Sequence, residues 1–305
     1  MISFRYHIVS VVAVFLALGL GIAVGATALN GPITKDLRHQ VNDAKKQRDN
    51  LATQVKSLQG QVDDAGRFAS TYGAQLVARK LTGKSVLVVS LPGVGASMQD
   101  GVGAQITAAG GKIGGRVTIT NNYLDSSQGS KVSALVTGPS RPSALTLPVT
   151  SDAAKLGAAA LAFVLVGKGQ PTDLTQTVSG FSSLHMVSVD GSGVTPTTSI
   201  VVLGKGKLDS KSYGAQAELD LVQALATAGG KVVLAGDTAS STGGGTVALV
   251  RHGSATRGAV STVDDADTAF GQVSTVLALS AAVKGQAGQY GTGEGADALF
   301  PSPTR

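Results

Sequence analysis

The chain has 305 residues, of which 43% are hydrophobic and 14% are charged, and this balance excludes a disordered protein. It contains no Cys, which excludes disulfide bonds and thiolate chemistry. The net charge of +6 lies mostly in residues 1–82, which hold 10 Lys or Arg and 5 Asp or Glu, so we expect anionic membrane lipid as a partner. We expect no nucleic acid as a partner, because residues 83–305 lack a basic face with aromatic residues.

The first predicted element is a transmembrane helix over residues 8–28, after a short N-terminal peptide of residues 1–7. These 21 residues carry no charge, and a helix of that length spans about 31 Å, close to the ~30 Å hydrocarbon core of a bilayer. The alternative is a cleaved signal peptide, because Ala26-Thr27-Ala28 resembles a cleavage site. The apolar run is longer than the h-region of a signal peptide, so we interpret it as a retained anchor.

Charge leaves the orientation of this anchor open. The flank after the span is the more basic one, which favours a cytoplasmic C-terminal side, but large C-terminal domains are translocated largely regardless of charge. A stripe of small residues recurs at every fourth position of the span and would let two transmembrane helices approach closely. Its members are Ala13, Ala17, Gly21 and Gly25.

A coiled-coil stalk is predicted over residues 29–82, because an apolar heptad repeat runs for five heptads. Its a positions are Val41, Arg48, Val55, Val62, Ala69 and Leu76, and its d positions are Ala44, Leu51, Leu58, Ala65 and Tyr72. Val at a with Leu at d favours a parallel dimer, and residues 41–76 would form a rod of about 54 Å. The alternative is an amphipathic helix that lies on the following domain.

An α/β domain is predicted over residues 83–284. Short apolar runs predict strands at residues 85–90, 116–120, 162–166, 186–189, 199–203, 231–235, 246–250 and 259–262. Between them, periodic segments predict helices at residues 97–109, 152–161, 212–228 and 267–284. This alternation indicates a largely parallel, Rossmann-like or flavodoxin-like sheet with helices on both faces. Residues 121–150 are predicted as a long loop, and residues 285–305 as a Gly-rich tail.

Three Gly-rich segments could approach a phosphate group. Gly93-Val94-Gly95 follows the first strand as a dinucleotide-binding turn would, but Met98 stands at the place of the third Gly, and no acidic residue ends the second strand. The segment 236–245 lacks the Lys-Ser/Thr of a P-loop, and the segment 110–115 reads as a helix end. A nucleotide-dependent enzyme is therefore retained only as an alternative function.

No other pattern indicates catalysis, and we predict that the protein is not an enzyme. Asp264, Asp265 and Asp267 precede the last predicted helix, where carboxylates complement the helix dipole, and a divalent cation is the alternative there. His185 and Met186 carry ligand atoms that suit copper, but a copper site needs three or four such groups, and the remaining His and Met residues are scattered. We predict no resident cofactor.

Two stretches resemble the actinobacterial MctB family, the mycobacterial copper transport protein B. They are ISFRYHIVSVVAVFLALGLGIAVGATAL at the N-terminus, and STVDDADTAFGQ followed by GQAGQYG at residues 285–291. With the stalk between anchor and α/β domain, the resemblance covers almost the whole chain. It implies one of two roles. The first is copper efflux and resistance, in which the protein would form a pore in the outer membrane. The second, in corynebacterial relatives, is control of cell separation and peptidoglycan hydrolysis with a cytoplasmic partner protein.

The second role implies an inner-membrane protein with a cytoplasmic N-terminus and an α/β domain outside the membrane. Phe4, Arg5 and Tyr6 would then be available to the cytoplasmic partner. A pore disagrees with the sequence, because a membrane barrel needs strands of alternating polarity and these strands are continuous apolar runs. The sequence therefore predicts a dimeric, single-pass scaffold of the cell envelope, in which copper handling is implied by the resemblance alone.

Overall fold

The structure is a computed structural model that describes residues 4–139, 141–191 and 193–302. Residues 1–3 of the predicted N-terminal peptide lie outside the described residues, as do the side chains of Phe4 and of residues 27–36. The chain divides into two compact units, Met1–Asp64 and Ala65–Arg305. Residues 65–82, which the heptad repeat assigns to the stalk, therefore belong to the second unit.

The first element is a single long helix, α1 (Phe4–Val77), which contains both the predicted membrane span and the predicted stalk. Its segment Arg5–Ala26 is apolar and long enough to cross a membrane, and none of it is buried. The helix ends where Arg79 and Gly83 adopt left-handed backbone conformations, with φ of 63° and 72°. Leu81, which lies between Arg79 and Gly83 in the sequence, is buried and anchors this turn in the core of the second unit just before the first strand.

The described part of the second unit contains a sheet of seven strands in the order β3-β2-β1-β4-β5-β6-β7. The strands are β1 (Ser85–Ser90), β2 (Lys112–Ile119), β3 (Val187–Val189), β4 (Ser199–Gly204), β5 (Lys231–Gly236), β6 (Val260–Val263) and β7 (Gln289–Tyr290). All neighbours pair in parallel except β2 and β3, which are antiparallel. The predicted α/β fold with a largely parallel sheet is thus confirmed.

Helices cover both faces of this sheet, which explains why the central strands β1, β4 and β5 are buried along nearly their whole length. They are α2 (Ala96–Ala108), α3 (Gly129–Thr137), α4 (Ala153–Leu165), α5 (Pro171–Ser183), α6 (Tyr213–Thr227), α7 (Thr246–His252), α8 (Ser254–Arg257) and α9 (Ala269–Val283). In β1, Leu87 and Val89 face a core shared with α3 to α7, while Val86 and Val88 face α2, α9 and the end of α1. The period of two along the strand therefore feeds two separate apolar layers.

Side-chain caps explain why several predicted helices begin where they do. The Asp152 carboxylate accepts a hydrogen bond from the Ala154 amide at 3.0 Å and starts α4. The Ser212 hydroxyl caps α6 in the same way, and the Thr268 hydroxyl caps α9. Each cap satisfies an amide of the first helical turn that has no partner inside the helix.

Two predicted strands are wrong. The segment 162–166 is the last turn of α4, which is apolar on nearly all sides because it is buried between other helices and the sheet. The segment 246–250 belongs to α7, which begins after Gly245 and carries Arg251 and His252 in its last turn. In both places a short apolar run fits a buried strand and a buried helix equally well.

Two predicted irregular regions also contain regular structure. Residues 121–150 include α3, which buries Val132 and Val136. The tail adds β7 to the edge of the sheet, where it pairs with β6. Helix α5 was not predicted, although Pro171 at its start and the Asp173 carboxylate, which accepts from the Gln170 amide at 2.8 Å, mark its beginning.

Candidate functional site

The N-terminal part of α1 exposes an unbroken apolar surface. Ala13, Ala17 and Gly21 of the predicted packing stripe are exposed, and Gly25 is partly exposed. Open space surrounds Gly21 and Gly25, so a second helix could approach their backbone closely. Arg5 and Tyr6 of the predicted partner-binding peptide are exposed at the beginning of the helix. Whether these residues contact lipid, a second helix or a partner stays a prediction.

The heptad positions of the first unit are exposed as well. Leu51 is 60% exposed, and the other apolar a and d residues from Val41 to Val62 are exposed to a similar degree. Arg48 lies at an a position and bonds the neighbouring Asp49 at 2.7 Å in solvent. Apolar side chains in a regular stripe need a cover that one copy of this chain does not provide among its described residues. The coiled coil itself stays a prediction.

The heptad changes its surroundings at Ala69, which is only 3% exposed because the second unit covers it. Gly73, four residues later, is buried against the side chain of Val273 on α9. The neighbouring positions Phe68, Tyr72 and Leu76 remain largely exposed. In its last turns, α1 therefore packs on α9 with one side and exposes the other side to solvent.

The predicted copper ligands are not brought together. His185 is exposed on a turn with a left-handed backbone (φ 54°), whereas Met186 is fully buried in the core. Among the described residues there is no group of three or more His, Cys, Asp or Glu side chains that could hold a metal ion. The geometry therefore offers no support for a preformed site around these two residues.

The Gly-rich turn after β1 has only part of the geometry of a dinucleotide site. Gly93 has a φ of 85°, and Gly95 precedes α2 without a side-chain cap. Met98 stands where a third Gly would allow close approach, and its side chain is buried in the core. Thr120, not an acidic residue, follows β2. The turn lies where α/β sheets bind ligands, but it lacks the groups that hold a ribose.

The Asp cluster after β6 contributes to a buried ionic network centred on Arg251. The Arg251 side chain lies on α7 and is fully buried, and its Nη1 atom donates to Asp264 Oδ2 at 2.7 Å. Its Nε atom donates to the Thr262 hydroxyl at 2.8 Å. The same guanidinium donates to the backbone carbonyls of Tyr290 and Glu294 at 2.7 and 3.0 Å. One cation therefore joins α7, β6 and the C-terminal segment.

Asp264 completes this network from the other side. Its two carboxylate oxygens accept hydrogen bonds from the backbone amides of Thr292 and Gly293 at 3.0 and 2.8 Å. The Gln289 amide group donates to the Val260 carbonyl at 3.0 Å and so fastens β7 beside β6. The two C-terminal sequence blocks, STVDDADTAFGQ and GQAGQYG, are thus parts of one assembly, with Arg251 between them.

Asp265 differs from its neighbour Asp264, because none of the described residues forms an ion pair with its carboxylate. Its Oδ1 atom is buried without a hydrogen-bond partner. Burial, together with the nearby carboxylates of Asp264 and Asp267, raises the pKa of Asp265 to about 6. This carboxyl group can therefore take up a proton near pH 6.

Sequence reasoning did not identify an apolar groove in the second unit, which we call the α1–α9 groove. It has a volume of about 410 Å³ and lies between the last turns of α1, the helix α9 and the C-terminal segment. Its main apolar side chains are Phe68, Leu76, Phe270, Leu277 and Phe300. The rings of Phe270 and Phe300 meet edge to face, with centroids 6.0 Å apart. Phe68, an aromatic residue at a g position of the heptad, is the one sequence signal for this surface.

Comparison with known proteins gives one consistent match. The family model described as "Copper transport outer membrane protein, MctB" matches residues 1–301. The chain is 28% identical to the copper transporter MctB of Mycobacterium tuberculosis (strain ATCC 25618 / H37Rv) over 309 residues, which cover 97% of this chain and 98% of that protein. It is also 28% identical to the copper transporter MctB of Mycobacterium leprae (strain TN) over 314 residues, 98% of this chain and 99% of that protein.

Proposed function

The chain belongs to the MctB family of copper transport outer membrane proteins, and from that premise we propose that it acts in copper handling at the cell envelope as a non-enzymatic, membrane-anchored dimer. The observation that carries the proposal is the apolar stripe of α1. Leu51, Leu58 and their heptad partners are each exposed to about 60% in one copy of the chain. A parallel helix pair would bury them by the knobs-into-holes packing of a coiled coil.

The proposed location is the inner membrane, with residues 1–7 in the cytoplasm and the α/β domain outside. The apolar helical segment Arg5–Ala26 supports a single-pass anchor by its length and its exposure. The outer membrane is the alternative that the family description supplies. A pore formed by the sheet is disfavoured, because β1, β4 and β5 are buried on both faces, whereas a pore-forming strand alternates between lipid and lumen.

The role of copper rests on the family and on the names of the relatives. We therefore assign no resident copper site to this chain, and we propose that it supports copper efflux by assembling other components. We expect no tight, stoichiometric copper binding by the purified full chain. Calorimetric titration tests this point, and sub-micromolar binding of one copper ion per chain would overturn the scaffold in favour of a carrier.

The dimer is tested by placing charge in the stripe. Leu51→Glu together with Leu58→Glu should abolish chemical crosslinking of the full chain in membranes, because carboxylates at d positions cannot be buried in a pair. The matched control is Asn50→Glu with Ser57→Glu, which adds the same charge at the neighbouring, outward c positions. Equal crosslinking of both variants would contradict the dimer. In a strain that lacks the native gene, only the control should restore copper tolerance.

The alternative function is regulation of cell separation and peptidoglycan hydrolysis through a cytoplasmic partner. The exposed Arg5 and Tyr6 at the start of α1 favour it, since they would be open to a partner on the cytoplasmic side. A pull-down from membranes with and without residues 1–7 separates the two roles. Loss of one defined partner on truncation, with unchanged copper tolerance, would favour regulation over copper handling.

A nucleotide-dependent enzyme remains the second alternative, because the turn at Gly93 follows the carboxyl end of β1, and such folds bind ligands at the carboxyl ends of their strands. A thermal-shift measurement of the full chain with a set of nucleotides tests it. A clear rise in unfolding temperature with one nucleotide, lost in Gly95→Val, would support the enzyme over the scaffold.

A further inference from the structure

The α1–α9 groove forms where the last turns of α1 pack against α9 through the e positions of the heptad. Earlier e positions of the heptad carry side chains, but the last two, Gly66 and Gly73, carry none. At Gly73 an added Cβ atom would lie 2.6 Å from Val273 Cγ2, so α9 occupies the space of a missing side chain. Val77, one turn further on, is fully buried in the same core. The e side of the helix is thus given to α9.

Apart from the buried Ala69, the a and d side of the same turns stays open. Successive residues of an α-helix are rotated by about 100° around the helix axis. On this basis the side that is buried against the domain (Ala69, Gly73 and Val77) and the side formed by the a and d positions between Ala65 and Leu76 point in directions roughly 70° apart around the axis of α1. Two helices that pack on a third about 60° apart around its axis also touch each other. A helix paired through the a and d positions here would therefore lie beside α9, over the groove.

We propose that α1 of a second copy of this chain fills the α1–α9 groove and that its Phe68 side chain enters between Leu76, Leu277 and Phe300. This inference rests on the dimer of the proposed function and extends its interface from the stalk to the α/β domain. The contact is reciprocal, since a two-fold axis places the same residues on both sides. Each domain is then held by both copies of α1.

The heptad register identifies Phe68 as the inserting residue. In a parallel pair, g positions of one helix face e positions of the other. The g positions of this heptad are Gln47, Gln54, Gln61, Phe68 and Gln75, so a single apolar side chain interrupts a series of amides. It comes at the level where the facing e position is Gly73, with α9 behind it. In one copy Phe68 is 59% exposed, and such exposure of a large ring is costly without a partner.

The groove has the chemistry of a helix–helix contact and not of a polar ligand site. Phe300 is 48% exposed and closes one wall together with Pro301. Lys80 is the one charged residue of its lining among the described residues. The C-terminal segment that carries Phe300 is fastened by the Arg251 network, so this wall is preformed. A rigid apolar wall beside an exposed ring favours a large hydrophobic side chain as occupant.

The chain contains no Cys, so pairs of single-Cys variants give an unambiguous test. Full-length Phe68→Cys with one affinity tag is coexpressed in membranes with Leu277→Cys carrying another tag, and a short bis-maleimide is added. A covalent species with both tags can arise only between two chains. We expect a yield on the order of tenfold above that of a control pair, Phe68→Cys with Ser179→Cys on the exposed side of α5, because short crosslinks require a specific geometry.

Two further pairs separate this inference from the dimer on which it rests. Leu58→Cys on both chains reports pairing of the stalk, and Phe68→Cys with Phe300→Cys repeats the groove test at a wall residue that is 48% exposed. Crosslinking at Leu58 without crosslinking at either groove pair would overturn the insertion of Phe68 and leave the stalk dimer standing. Absence of all three would overturn both. Crosslinking at a groove pair alone would support the groove contact and overturn the stalk.

Discussion

Leucine residues are treated in opposite ways by the two units of the chain. In Met1–Asp64, Leu51 and Leu58 are mostly exposed, whereas in Ala65–Arg305 Leu87 and Leu203 are fully buried. The second unit completes its own core with helices on both faces of a sheet. The apolar residues of the first unit match the surroundings of lipid and of a second helix. One unit thus buries its own apolar residues, whereas the apolar residues of the other unit are exposed in a single copy of the chain.

Ion pairs show the same contrast. Arg48 in the first unit and Arg251 in the second each bond a carboxylate at 2.7 Å, but the Arg48 side chain is 72% exposed and that of Arg251 is fully buried. An exposed pair contributes little, because water and salt screen it. A buried pair is costly to break, because the remaining charge stays buried without its counter-charge. Equal distances therefore correspond to unequal energies.

The largest expected effect comes from breaking the buried pair. Arg251→Met should lower the free energy of unfolding of the second unit by about 3–5 kcal/mol, because Asp264 and two backbone carbonyls lose a charged donor. The measurement is urea unfolding of the full chain in detergent, followed by tyrosine circular dichroism. Arg48→Met is the matched control and should leave the unfolding midpoint unchanged. A similar midpoint in both variants would contradict the distinction between the two pairs.

A second pair of substitutions compares apolar residues directly. Leu87→Ala should cost about 2–5 kcal/mol, because it opens a cavity where β1 meets the core around α4. Leu51→Ala should leave the unfolding of the second unit unchanged within about 0.5 kcal/mol, because its side chain is 60% exposed. Crosslinking of Leu51→Ala should nevertheless decrease. An equal loss of stability in both variants would show that the first unit is packed on the second.

The fold was predictable where one period dominated the sequence. Strand β1 and helix α6 follow from their apolar runs and their capping residues, and the structure confirms both. The segment 162–166 was misassigned because a helix buried on all sides loses its polar face, and only length distinguishes it from a strand. Strand β7 was missed because two residues at a sheet edge carry no periodicity, and their position depends on Gln289 and on distant partners.

The candidate sites were less predictable than the fold. The exposed positions of the heptad follow from sequence, because a coiled-coil seam is a local repeat. The role of Asp264 does not, since its partner Arg251 lies 13 residues away on a helix that was predicted as a strand. The groove needs α1, α9 and the C-terminal segment together. Phe270 belongs to the block STVDDADTAFGQ, so part of that block serves the groove and part of it serves the ionic network.

Asp265 sharpens the comparison between buried and exposed charges through pH. Its folded-state pKa of about 6 lies above the ordinary value of 3.8, so the folded state binds a proton more tightly than the unfolded state does. The contribution of Asp265 to stability is then greatest in acid, falls as the pH rises from about 4 to about 6, and stays constant above that. Asp265→Asn should remove this fall and stabilise the second unit at pH 8 by about 2 kcal/mol.

The measurement is the unfolding free energy across this pH range for the native chain and the variant. Asp43→Asn, at an exposed position of the first unit, is the control and should follow the native chain at every pH. The groups that face Asp265 are Asp264, Asp267 and Arg251, so the Arg251→Met background should raise the pKa of Asp265 and extend the fall to higher pH. Parallel curves for Asp265→Asn and the native chain would refute the assignment.

The smallest expected effect is a difference in the sign of the stability change when two glycines of α1 are replaced by alanine. Gly60 in the first unit has open space around it, so Gly60→Ala should stabilise the helix by about 0.5–1 kcal/mol through helix propensity. Gly73→Ala gains the same propensity, but its methyl group would collide with Val273, and overpacking costs about 1–3 kcal/mol. The net effect at Gly73 should therefore be destabilising by about 1 kcal/mol. Amide hydrogen exchange along α1 measures both, and stabilisation at both positions would mean that α9 gives way, so that the boundary between an open and a packed α1 lies beyond residue 73.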